Sequence, residues 1–220
     1  MSASKPVSIA RLKITLDMIE PAIWRRVEIP LSASLAELHR VIQAVMLFED
    51  YHLYQFEIGP RRKETLYGIP QPDMDFMDIE DARKTSLSDL TEAGVKKFVY
   101  TYDFGDDWRH IVQVEAVAEA DPEIAYPRLT GGARRAPRED CGGPPGFMDF
   151  IDALADSSHP DHAEKKEWYG RAFNAEDMME PKIKSRLAKL VTRKKTPGKT
   201  AKPRKAVRQW VRIAPKGEKA

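Results

Sequence analysis

A chain of 220 residues, 42% of them hydrophobic, has material for one full domain with a core and an appendage. No run approaches the about 18 apolar residues of a membrane span, the opening MSASKPVSIARLK lacks the apolar centre of a secretory signal, and the single cysteine, Cys141, excludes both a disulfide framework and a zinc site of paired CxxC motifs. The net charge of +2 hides a division: from Arg193 onward eleven Lys and Arg face one acid, Glu218, leaving 25 basic and 33 acidic residues before it, so a basic tail follows an acidic body. A cytoplasmic protein with no membrane segment is expected, organised as a domain over residues 7–192 and a flexible tail over 193–220.

Leu12, Ile14, Leu16 and Met18 alternate with polar residues, Glu20-Pro21-Ala22 turns the chain, and Ile23 to Ile29 returns it, which is the period-two pattern of a hairpin with one buried face. Ser34 and Glu37 form a capping box for a helix through about Phe48, with Leu35, Leu38, Ile42 and Val45 on one stripe and His39 at its edge. Tyr51 to Ile58 is expected as the next strand, and its phase places His52 on the apolar face with Tyr54 and Phe56. Residues 59–95 are polar and turn-rich, with a short helix expected at Ser86 to Glu92. Their acidic run DMDFMDIEDAR lacks the ordered spacing of a calcium loop.

Lys97 to Val117 forms a second hairpin pattern. Phe98, Tyr100, Tyr102 and Phe104 share one parity, as do His110, Val112, Val114 and Ala116, and Asp103, Gly105, Asp106, Asp107 and Trp108 stand at the bend. That turn carries more acid and aromatic character than a reversal needs. Residues 118–145 look irregular. Beyond them Phe147, Phe150, Ile151 and Leu154 have helical spacing, His159-Pro160-Asp161 opens a short helix containing Trp168, and Asn174 with Asp177 suggests the cap of a last helix to about Val191. Hairpins first and helices last predict an α+β domain, a mixed or antiparallel sheet with helices packed on one face. In the tail, KKTPGKTAKPRKA has linker composition, while Gln209 to Ile213 is apolar enough to dock.

Several separated segments occur together in one order: IWRRVEIP from Ile23, SLAELHRVIQAVM from Ser34, HLYQFEIG from His52, YGIP from Tyr67, FVYTYDFGDDWRH from Phe98, YPRLTGG from Tyr126, APREDCGGPPGF from Ala136, and HPDH with Trp168. The combination resembles the plasmid pRiA4b ORF-3-like family, from about Ile9 to Lys189. The resemblance implies a single α+β domain and an association with plasmids and mobile elements, where such proteins carry labels such as transposon passenger or resolvase. The chain lacks clear serine recombinase features. It departs from the family pattern at Leu47-Phe48-Glu49, where a Gly-Trp pair is typical, and at Leu129, where a cysteine is frequent, which removes one thiol from any metal site.

The candidate pocket comprises His39, His52, Asp103, Asp106, Trp108, His110, Glu139, Asp140 and Cys141. If the histidine-bearing strands flank the hairpin, His52, Asp103 and His110 could hold zinc, manganese or iron, since two imidazoles and a carboxylate suffice; that is the reading as a metal-dependent, hydrolase-like enzyme. Cys141, in a glycine loop before a helix, is a second candidate as a nucleophile, although Glu139 and Asp140 beside it oppose a thiolate. The architectural alternative has the histidines hydrogen-bonding the backbones of turn and loop. The non-enzymatic reading is a binding or accessory module that offers an acidic, aromatic groove to a protein partner, while Lys194, Lys195, Lys199, Lys202, Arg204, Lys205 and Arg208 contact nucleic acid through phosphates.

Overall fold

The computed structural model describes residues 7–70, 78–191 and 211–212. Strands β1 (Ser8–Leu16) and β2 (Trp24–Pro30) form the expected first hairpin, paired from Ile9↔Pro30 to Thr15↔Trp24. Ala10, Leu12, Ile14 and Leu16 all face the core, as their alternation requires. Helix α1 (Leu35–Met46) starts at the capping box: the Glu37 amide donates to Ser34 Oγ at 3.2 Å and the Ser34 amide donates to Glu37 Oε2 at 2.8 Å. Leu47, left-handed at φ 65°, ends it.

The chain continues through β3 (Tyr54–Ile58), β4 (Thr65–Gly68), β5 (Ile79–Asp81), α2 (Leu87–Glu92), β6 (Lys97–Tyr102) and β7 (Trp108–Glu119). Next come β8 (Arg128–Ala133), α3 (Gly143–Ala155), α4 (His162–Tyr169) and α5 (Glu180–Leu190). The strand order is β5-β4-β3-β6-β7-β1-β2-β8, antiparallel throughout except for the parallel β4 and β5. The backbone of β9 (Val211–Arg212) pairs with β7 at Val117 and Ala116, past the last residue that β6 covers, Gln113. The mixed α+β class is as expected. The named basic residues of the tail lie outside the described residues. Among those described, no helix is long and apolar enough to cross a membrane.

One core unites the sheet and the helices: Leu12, Tyr100, Val112, Leu38, Ile42, Leu87, Phe147 and Ile183 belong to the same buried cluster. The opposite parity of the sheet carries ion pairs, such as the two-pronged Arg26–Glu115 contact at 2.7 and 2.8 Å. Arg25 is the exception on the core side. Its guanidinium is buried and donates to four carbonyls, those of Val45, Trp24, Ala133 and Arg134, at 2.7–3.0 Å. It thereby ties the end of α1 to β8, and burial pushes its pKa down to about 10.

Five local expectations are corrected. β3 begins at Tyr54, not Tyr51, because the Tyr51 and His52 amides donate to the Tyr102 hydroxyl at 2.9 and 3.3 Å instead of to a neighbouring strand; His52 is therefore a half-exposed loop residue. Phe104 leaves the buried parity of β6 and is 46% exposed, since Asp103 turns left-handed at φ 58° before it. The supposedly irregular residues 118–145 contain β8, and the final helix starts at Glu180 beside Pro181, with Asn174 accepting from the Glu176 amide in a turn instead of capping it. α4 likewise begins at His162, after a turn in which the His162 amide donates to the His159 carbonyl.

Candidate functional site at the hairpin turn

The turn between β6 and β7 is held by its own acid. Asp103 Oδ1 accepts from the Gly105 and Asp106 amides at 2.9 and 3.3 Å, and its carbonyl accepts from the Asp107 amide at 2.7 Å. With Oδ1 so engaged, Oδ2 faces His52 Nε2 at 3.4 Å. The Asp103 amide donates to the Leu53 carbonyl at 2.9 Å, which seats the His52 loop against the turn.

The third side comes from the loop before α3. Asp140, left-handed at φ 57°, brings Oδ1 to 3.2 Å from His52 Nε2. This loop lies directly on the acidic turn at Gly143, and at Gly146 it packs against itself. A Cβ on Gly143 would lie 2.4 Å from the Asp106 carbonyl oxygen, and one on Gly146 2.1 Å from that of Cys141. Both distances are impossible for a side-chain carbon, so the glycines of CGGPPG serve close packing at the start of α3.

One atom from each of His52, Asp103 and Asp140 thus lies within 4.8 Å of the others. A tetrahedral ion with ligands near 2.0–2.1 Å sets its donors about 3.3 Å apart, and the two imidazole-to-carboxylate distances are 3.2 and 3.4 Å. One imidazole and two carboxylates suit zinc, manganese or ferrous iron, and three protein donors leave coordination positions for water or a ligand. His110 has no part in this group. It is fully buried, its Nδ1 lies 2.8 Å from the Trp108 carbonyl oxygen, and burial pushes its pKa down to about 4. The structure therefore does not bring His110 to His52 and Asp103, because position 110 faces the core; the group beside them is Asp140.

The remaining candidates divide between site and core. Glu139 is 8% exposed, and its Oε1 accepts from the Glu49 amide and the Tyr102 hydroxyl, both at 2.7 Å. Its Oε2 is buried without a partner among the described residues. The Tyr102 hydroxyl joins this acid to the His52 loop, since it also accepts the two amides described above. Asp106 stands under the turn against Gly143. Cys141 is half-buried, and burial, with Asp106 and Asp140 adding to it, pushes its thiol up to about 12, which disfavours the thiolate. Trp108 is fully buried beside Phe48. His39 is also internal: its ring stacks on Tyr54 at 3.7 Å, with Nδ1 2.7 Å from the Tyr100 hydroxyl and Nε2 2.8 Å from Asp50.

Sequence reasoning missed the groove that opens beside the triad. About 570 Å³ in volume, it is lined by Tyr51, Arg138, Glu139, Asp140, Trp168, Arg171 and Lys182, among others. These come from four separated stretches of chain with no shared local motif. The one available signal was the cationic RRAPR run at Arg134 to Arg138.

The family profile described as plasmid pRiA4b ORF-3-like protein matches residues 8–181. The uncharacterized protein y4hQ of Sinorhizobium fredii is 40% identical over 163 residues, which is 74% of this chain and 81% of the relative. Among solved structures, a protein of unknown function from Methanosarcina mazei Go1 superposes with a TM-score of 0.71 at 34% identity, covering 79% of this chain and 96% of that one. A profile spanning most of the domain, a relative sharing two residues in five, and a common fold with the archaeal protein agree: the chain belongs to the plasmid pRiA4b ORF-3-like protein family.

Proposed function

We propose that this protein is a metal-dependent binding module, whose divalent cation sits between His52, Asp103 and Asp140 and presents open coordination positions to a ligand in the adjoining groove. The observation that carries it is the convergence of three donor atoms within 4.8 Å from three separate chain segments. Two of the three segments are pinned by backbone hydrogen bonds, at Asp103 and at His52, which is the preorganisation a binding site requires. Metal binding displaces any proton on His52 Nε2, so it is proton-coupled.

Titration of the metal-free protein with Mn²⁺ and Zn²⁺, followed by elemental analysis after gel filtration, tests this. One ion per chain is expected, lost in His52→Ala and Asp103→Asn but retained in His110→Gln. No stoichiometric metal in the parent protein, or equal retention in all variants, would overturn the reading. The catalytic version adds a metal-bound water as nucleophile and requires metal-dependent hydrolysis of an ester such as p-nitrophenyl phosphate. A second reading rests on the eleven Lys and Arg beyond residue 192: nucleic-acid binding by the tail, steeply weakened by salt. It fails if a chain ending at Thr192 binds an oligonucleotide as well as the full chain does.

A further inference from the structure

The groove beside the triad has an uneven distribution of charge. Its acids are mostly engaged: Glu49 pairs with Arg186 at 2.5 Å, Glu139 accepts through one oxygen from Tyr102 and the Glu49 amide, and Asp140 faces His52. Its cations are not. Arg135 is committed to Asp177 at 2.9 Å, but Arg138, Arg171 and Lys182 have no carboxylate partner among the described residues. Two of these three are positioned by neighbouring rings: the Arg138 guanidinium lies 4.8 Å from the Trp168 ring centre and donates to the Trp168 carbonyl at 3.0 Å, and Arg171 lies 5.2 Å from that of Tyr169.

Without metal the two triad carboxylates offset part of this positive charge. A divalent cation between His52, Asp103 and Asp140 would neutralise them and leave three cations against the single carboxylate of Glu139 along the same groove. On the reading that the triad binds metal, we propose that the groove takes a phosphomonoester dianion, with one phosphate oxygen on the cation and others toward Arg138, Arg171 and Lys182. A tetrahedral phosphate offers oxygens in divergent directions to a metal and to separate donors at once, whereas a carboxylate has two nearly parallel ones. Guanidinium and ammonium groups are the usual protein partners of phosphate.

The test uses inorganic phosphate as the probe and the full chain loaded with Mn²⁺. Bound manganese broadens the ³¹P resonance of any phosphate in its coordination sphere, and manganese occupancy is measured separately by electron paramagnetic resonance. The loaded protein is expected to broaden ³¹P well beyond free Mn²⁺ at the same concentration, with acetate competing at least tenfold more weakly than glycerol phosphate. The double variant Arg171→Gln, Lys182→Gln is expected to bind manganese as tightly as the parent while its phosphate affinity falls at least tenfold; Asp103→Asn is expected to lose both. Phosphate affinity within threefold of the parent in the double variant, or acetate competing as well as glycerol phosphate, overturns the inference. Manganese binding with no effect on phosphate overturns it while leaving the metal site standing, and failure to bind manganese removes both.

Discussion

Replacing Tyr102 by Phe is expected to weaken both the fold and the site, because one hydroxyl holds three groups. The Tyr102 oxygen accepts from the Tyr51 and His52 amides at 2.9 and 3.3 Å and donates to Glu139 Oε1 at 2.7 Å. The side chain is fully buried, so Phe fills the same volume and the change isolates the hydrogen bonds. A typical bond contributes a net of about 1 kcal/mol, and more where a charged partner is buried. Tyr51 is 75% exposed and water can reach its amide, which reduces that share, whereas Glu139 already has one unpartnered oxygen. The total comes to about 3 kcal/mol, which for a chain of this size lowers Tm by about 6–12 °C. Thermal unfolding by circular dichroism reads the stability, and manganese titration reads the site, where the loosened His52 loop should reduce affinity by about tenfold. A Tm within 2 °C of the parent together with unchanged metal affinity would refute the role of this hydroxyl as the link between loop, turn and Glu139.

Acid should destabilise the protein through His110. Its folded pKa of about 4 lies below the about 6.5 of an exposed histidine, so the unfolded chain binds the proton first. The stability present above about pH 6.5 is lost as pH falls toward 4, by about 3 kcal/mol at about 1.4 kcal/mol per pH unit. Urea midpoints measured across that range should fall less steeply in His110→Gln than in the parent, and parallel slopes would contradict the assignment. With its thiol near 12 against an ordinary value of 9.0, Cys141 should react with iodoacetamide about a thousandfold more slowly at pH 8 than an exposed thiol, as followed by mass spectrometry. Gly143→Ala should fold poorly or not at all, since its Cβ would meet the Asp106 carbonyl at 2.4 Å in a left-handed backbone; Gly94→Ala is the comparison, at a φ of +78° with nothing within 4 Å, and should lose only the conformational cost of about 1 kcal/mol. Equal thermal stability of the two variants would show that the α3 loop does not bear on the turn.

The sequence alone determined those features whose physical cause lies within a few residues. Alternating apolar residues from Leu12 to Leu16 and from His110 to Ala116 specify strands with one buried face, Ser34 with Glu37 caps α1, and the acids between Asp103 and Asp107 mark the turn where the site stands. Tertiary structure decided whatever depends on a distant partner. Residues Arg128 to Ala133 become β8 because β2 supplies their hydrogen bonds, although two glycines and no alternation hide the strand. His52 leaves the apolar face because a tyrosine hydroxyl fifty residues away in sequence satisfies its amide. Asp140 joins Asp103 where Gly143 lets the α3 loop touch the hairpin. Local periodicity carries information about which face a residue occupies, but the meeting of three loops depends on how the whole sheet packs.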